Sequence, residues 1–235
     1  MCHAFSGVIK ENGEVLWQMG MDSHEDIIEK LELKDTDGDR RTVKFARFEI
    51  APANGDYLNP GQWLFKVDEK VRPAWFNEGY EQFCWTAQKE WKKKLDKILV
   101  HKPIVHPFRV APPKKIIKKH IDLLKEWASV RDSVGASVWD SVWDSVRASV
   151  WDSVRDSVGD SVRDSVGDSV WAYTGTFFHL PRKSWLYTDN IKTKGYPLQP
   201  AVDLWEMGLV PSFDGKKWRL HGGPDAKILW EGKIK

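Results

Sequence analysis

Residues 129–172 read SVRD SVGA SVWD SVWD SVRA SVWD SVRD SVGD SVRD SVGD SVWA, eleven tandem tetrapeptides of the form Ser-Val-x-Asp or Ser-Val-x-Ala. A tandem period marks stacked, quasi-one-dimensional architecture, and such repeats hold surfaces more often than they perform chemistry. The x position holds Arg131, Gly135, Trp139, Trp143, Arg147, Trp151, Arg155, Gly159, Arg163, Gly167 and Trp171. No physicochemical scale groups Trp, Arg and Gly, but the genetic code does, since codons differing only in the first base encode all three. The pattern points to tandem copying of a short stretch of DNA followed by single-base substitution. Either the copies are slippage with little tuning, or x points outward and forms a tunable face.

Competing effects bear on the conformation of the repeat. A helix advances about 100° per residue, so a period of four drifts about 40° per repeat and a valine stripe would wind around a long helix. Ser, Val, Asp and Trp are mediocre helix formers, and each interior Gly costs about 1 kcal/mol relative to Ala. Val and Trp suit a pleated, half-buried surface, and Asp-Ser is good turn chemistry. These arguments favour a narrow β-solenoid with Val inward and Asp-Ser at the corners; four sides per coil would stack Arg131, Arg147 and Arg163. A helix continuing from the basic segment before the repeat is the alternative, and disorder a third state.

The flanks read as α+β. Residues 3–9 and 14–19 form a hairpin across Glu11-Asn12-Gly13, because Asn-Gly favours the left-handed turn that matches strand twist. Asp22-Ser23 precedes a short amphipathic helix at 25–33 with Ile27, Ile28 and Leu31 on one side. Residues 42–50 read as a strand with a bulge or change of face, 63–67 as another strand, and 77–100 as a long helix. Pro103, Pro107, Pro112 and Pro113 make 101–113 a strap. After the repeat, Gln199-Pro200-Ala201 opens a helix that stops at Gly208. Phe213-Asp214-Gly215-Lys216 is a hairpin turn, and 227–230 supplies a further strand. The expected organisation is an N-terminal α+β domain (1–100), a Pro-rich strap and basic helix (101–128), the repeat (129–172) and a C-terminal α+β cap (173–235).

At 235 residues the chain can bury a proper core. Of its fourteen tryptophans, those outside the repeat are expected in core and strand packing. The formal charge of +2 hides an asymmetry. Residues 89–126 carry twelve Lys or Arg against four acids, whereas 129–172 carry eight Asp against four Arg. Cys2 and Cys84 make neither a disulfide framework nor a ligand cluster. The start of the chain lacks the apolar core of a signal peptide and no window approaches a membrane span, so a cytoplasmic location without membrane partners is expected.

Segments such as Ala201-Val202-Asp203-Leu204-Trp205 and Val210-Pro211-Ser212-Phe213-Asp214-Gly215, following Ser-Val-x-Asp runs, resemble uncharacterised bacterial and phage proteins with tandem tetrapeptides of this type. The resemblance covers residues 129–230. It implies no activity and points to a phage or mobile-element origin.

Enzymatic readings are weak. Cys2 would become an N-terminal nucleophile after loss of Met1, but His3-Ala4 follow where N-terminal-nucleophile amidotransferases continue with Gly. Asp35-Thr36-Asp37-Gly38-Asp39 is similar to a calcium loop, yet its Gly comes too early and Ala46 stands where a bidentate Glu is required. His24, His101, His106, His179 and His221 show no paired ligand spacing, so no metal is expected. Glu90 and Asp96, embedded among lysines, read as surface ion pairs. The expectation is a non-enzymatic interaction or assembly protein without a cofactor. Its contact with a protein partner or a second copy of itself would use Arg131, Trp139, Trp143, Arg147, Trp151, Arg155, Arg163 and Trp171, since Trp and Arg are enriched in binding hot spots. The alternative is a nucleotide or nucleic-acid binder contacting phosphates through Lys92, Lys93, Lys94, Lys114, Lys115, Lys118 and Lys119 in the basic segment 89–126.

Overall fold

The computed structural model describes residues 5–21, 23–34, 43–52, 62–142, 144–158, 167–189, 191 and 194–234, with backbone only at 144–146, 148, 149 and 158. The fold is mixed α+β, with seven α-helices and two small antiparallel sheets among the described residues. The chain divides into two compact units. One contains Met1–Ile98 with Trp143–Val150, the other Leu99–Val142 with Trp151–Lys235.

The first unit is built on a four-stranded sheet of order β2-β1-β3-β4, from β1 (Phe5–Lys10), β2 (Val15–Leu16), β3 (Phe45–Pro52) and β4 (Trp63–Val67). Gly13 takes φ +82 in the turn between β1 and β2, the left-handed geometry for which Asn-Gly is suited. Ser23 caps α1 (His24–Lys30) by accepting from the Asp26 N–H, and Ile27 and Ile28 bury against Val8 and Phe45. β3 shows no bulge in its pairings; Phe45, Ala46, Arg47 and Phe48 are all buried because both faces of this central strand are covered. Asn77 caps α2 (Glu78–Leu95) by accepting from the Gly79 N–H at 2.9 Å. Trp91 of this helix packs its ring 5.5 Å from that of Phe5 and 5.9 Å from that of Trp63.

The second unit forms around α7 (Gln199–Glu206). Pro200 sits in the first turn of α7, and Gly208 beyond its end takes φ +73. Trp205 is fully buried, stacks on Tyr173 at 5.0 Å, and donates its indole N–H to the Val105 carbonyl at 2.8 Å. The Val105 N–H donates in turn to the Tyr173 hydroxyl at 2.9 Å. These bonds hold the Pro-rich strap against the helices. α3 (Lys118–Ala128) packs on α7. The C-terminal sheet runs β5 (Val210–Phe213), β6 (Trp218–Gly222) and β7 (Lys227–Gly232), with Gly215 at φ +89 in the first turn.

Where described, the repeat is helical, which corrects the β-solenoid expectation. It forms α4 (Val134–Ser141), α5 (Asp144–Val158) and α6 (Gly167–Gly175). In α4 an interruption limits the drift that argued against a helix. α4 carries only Val134 and Val138, about 40° apart on one face, and both are buried. Val142 then turns extended, with φ −122 and ψ 147, and breaks the phase before α5 begins. Val150 and Val154 on α5 and Val170 on α6 are likewise buried. Helix forms in spite of Gly135, which stands in the first turn of α4, and Gly159 lies outside the described residues. Asp-Ser chemistry still ends an element, but the element is a helix.

Candidate interaction surface

Valine burial leaves the x positions to distribute around the helices. In the second unit three of them meet. The rings of Trp151 and Trp171 stack with centroids 5.1 Å apart and 25° between planes, and Trp139 meets Trp171 edge-on at 6.1 Å. α4 packs on α6, which brings the indoles of Trp139 and Trp171 together. The Arg155 guanidinium, one helical turn after Trp151, lies 4.7 Å above the Trp151 ring and 3.6 Å from the Asp152 carboxylate. Trp139 is 48% exposed, while Trp151 and Trp171 are half-buried. The cluster therefore has a half-buried base at Trp151 and Trp171, a more open edge at Trp139 and one guanidinium, that of Arg155, beside it.

The x residues do not face solvent as a set. Arg147 is 1% exposed, so an x-position cation lies in the interior. Arg131 is committed within the second unit. It donates to Asp168 at 2.6 Å, and its guanidinium lies 5.7 Å from the Phe213 ring and 5.8 Å from the Trp218 ring. Trp143 and Arg163 lie outside the described residues.

The basic segment is largely occupied by local partners. Lys92 pairs with Asp96 and Lys93 with Glu90, each at 2.6 Å, and Lys118 pairs with Asp122 at 2.6 Å. Lys94 places its ammonium 4.6 Å over the Trp17 ring. Lys114, Lys115 and Lys119 are exposed. Lys92, Lys93 and Lys94 belong to the first unit and the other four to the second.

The histidines hold backbone. His24 donates through Nε2 to the Phe48 carbonyl at 2.9 Å, and His106 Nδ1 accepts from the Phe108 N–H at 3.2 Å. His120 Nδ1 accepts from the Ile117 N–H at the start of α3, and burial, aided by the Lys119 charge, lowers its pKa. Cys84 is buried, and desolvation pushes its thiol up to about 12, so it is no nucleophile at neutral pH. Cys2 and the 35–39 segment lie outside the described residues. Among the described residues no group of His, Cys, Asp and Glu is placed to hold a metal ion, and no helix is long and apolar enough to cross a membrane.

One relay escaped the sequence reading. His221 Nε2 lies 2.8 Å from the Ser212 hydroxyl, and its Nδ1 lies 3.0 Å from the Ala226 carbonyl. A carbonyl only accepts, so Nδ1 carries the proton and Ser212 donates to Nε2. This is the polarity of a nucleophile and its base, but Ser212 is 7% exposed. The relay works as a lock that ties β5, β6 and the following turn. The signal was present in the hairpin: a turn at Asp214-Gly215 pairs Val210 with His221 and Ser212 with Arg219, which puts Ser212 and His221 on one face.

No family model, no curated protein and no solved structure matches this chain.

Proposed function

We propose that the chain is a non-enzymatic interaction protein that uses its repeat helices to bind a protein partner or a second copy of itself. The observation that carries this reading is the half-exposed Trp139 at the open edge of the Trp139–Trp171–Trp151 cluster, with Arg155 over Trp151. A half-exposed indole beside two others and a guanidinium offers the residue types that supply most binding energy in interfaces. A base of stacked rings also holds it in place, so little side-chain entropy is lost when a partner covers it. The repeat chemistry is consistent with a phage or mobile-element origin, where copying supplies variants of such a face. Phosphate binding by the basic segment has less support, because Lys92, Lys93, Lys94 and Lys118 already have carboxylate or ring partners.

The test compares the native chain with Trp139→Ala. Sedimentation over a range of concentrations reads self-association, and cross-linking in the native host followed by affinity measurement with the purified partner reads a heterologous complex. The substitution is expected to weaken association by about 2 kcal/mol, roughly thirtyfold, with an unchanged circular dichroism spectrum. Association should change little with salt. Unchanged affinity in Trp139→Ala would refute the reading, and a steep loss of binding with salt would transfer it to the lysines.

A further inference from the structure

The second unit contains a cavity of about 340 Å³ lined by some of the residues between Gly175 and Trp185, by Lys194, Gly195, Tyr196 and Gln199, and by Val100. That volume lies within the range of small-molecule sites, about 300–1,000 Å³. Its walls combine the rings of Phe178, Trp185 and Tyr196 with the basic side chains of His179, Arg182 and Lys194. No Asp or Glu stands among the described residues that line it.

The walls are held in position. Trp185 is buried and packs edge-on to Tyr196 at 4.9 Å. The Tyr196 hydroxyl donates to the Ala172 carbonyl at 2.7 Å, an approach that requires glycine at 175, since a Cβ there would collide with the phenol. Arg182 donates to the Thr188 hydroxyl at 2.6 Å, to the Thr188 carbonyl, and to the Ile191 carbonyl at 2.9 Å. These bonds fix the guanidinium instead of leaving it to swing in solvent. The result is a preformed, partly apolar hollow whose lining is cationic.

We propose that this cavity binds a small organic anion, a phosphate or carboxylate head on a flat unsaturated body. The lining sets the sign of the charge, and attraction between opposite charges strengthens where water is partly excluded. The aromatic walls select a flat body, which they can cover with favourable ring contacts. Lys194, exposed at the rim, meets the head group first, and the partly exposed Tyr196, backed by the buried Trp185 and Phe178, meets the body. This site is separate from the tryptophan cluster, and neither proposal depends on the other.

Isothermal titration of the full chain tests it with AMP for the phosphate head and 1-naphthoate for the carboxylate head, against adenosine and 1-naphthalenemethanol as uncharged counterparts. At least one anion is expected to bind with a Kd below about 1 mM, and its uncharged counterpart about tenfold more weakly. Binding of AMP alone assigns a phosphate ligand, binding of naphthoate alone a carboxylate, and binding of both a site that reads charge. Lys194→Glu should weaken the anion about tenfold, while Lys183→Glu, an exposed neighbour outside the lining, should not. Leu180→Trp, which fills the cavity, should abolish binding with the circular dichroism spectrum retained. Failure of both anions to bind, equal losses from Lys183→Glu and Lys194→Glu, or binding that survives Leu180→Trp would each overturn the proposal.

Discussion

Arg131 Nε donates to Asp168 Oδ2 at 2.6 Å, so the first tetrapeptide of the repeat is tied directly to the tenth. The same guanidinium lies over the rings of Phe213 and Trp218, which stack on each other at 4.9 Å. One x-position side chain thus joins two parts of the repeat to the C-terminal sheet.

That dual role sets an order of effects. Both partners are about one-third exposed, so a double-mutant cycle of Arg131→Ala and Asp168→Ala should give a coupling of about 0.5–1 kcal/mol. Arg131→Ala alone should cost about 0.5–1 kcal/mol more than Asp168→Ala, because it also removes the cation over the two rings. Equal costs in urea unfolding would show that the ring contacts contribute nothing.

Core and helix positions of the repeat separate cleanly. Val150 is 2% exposed, so Val150→Asp should cost about 3 kcal/mol or more by burying an unpaired carboxylate. Gly135 has open space where a Cβ would stand, and Gly135→Ala should stabilise by about 0.5–1 kcal/mol. Gly175→Ala should do the opposite, by about 1–3 kcal/mol, because the methyl meets the Tyr196 hydroxyl. Thermal melts of the three variants check the ranking, and a neutral Gly175→Ala would contradict the close contact.

The tip of the C-terminal hairpin should respond to acid. Asp214 Oδ1 accepts from the Lys217 and Lys216 N–H groups at 2.8 and 2.9 Å, and its other oxygen accepts from Arg219 at 2.6 Å. The backbone bonds, with help from Arg219, hold its carboxyl down from 3.8 to about 2. A carboxyl depressed in the folded state contributes its stability in full above the unfolded value and loses it as pH falls through the folded one. Amide exchange at Lys216 and Lys217 should therefore accelerate, beyond its intrinsic pH dependence, between about pH 4 and pH 2. Asp214→Asn should show no such step; a step that persists in that variant would assign it to another group.

Short-range chemistry could be read from the residues themselves. Asn12-Gly13 and Asp214-Gly215 place their turns, Ser23 and Asn77 cap their helices, and Pro200 with Gly208 brackets α7. Glu90 and Asp96 find lysines three and four positions away, as helical spacing requires. Each of these depends on neighbours within a few positions of the chain. Val130, Val134, Val138, Val142, Val150, Val154 and Val170 of the repeat are buried, which also follows from composition and pattern alone.

The path of the repeat is different in kind. Residues 137–140 and 141–144 have the same sequence, Ser-Val-Trp-Asp, yet Val138 is helical and Val142 is extended. Identical tetrapeptides have identical preferences within themselves, so the four residues cannot choose which copy ends the helix. Burial does not separate them either, since the helical Val138 and the extended Val142 are both buried; what differs is the surroundings each copy packs against. Surroundings likewise decide that Arg147 points inward, that Trp139, Trp151 and Trp171 meet, and that Arg182 and Lys194 line one cavity. The sequence by itself determined which residues seek the interior and where the flanking turns and caps fall. The tertiary structure decided where the repeat breaks, because two copies of one tetrapeptide carry the same preferences within themselves and differ only in what surrounds them.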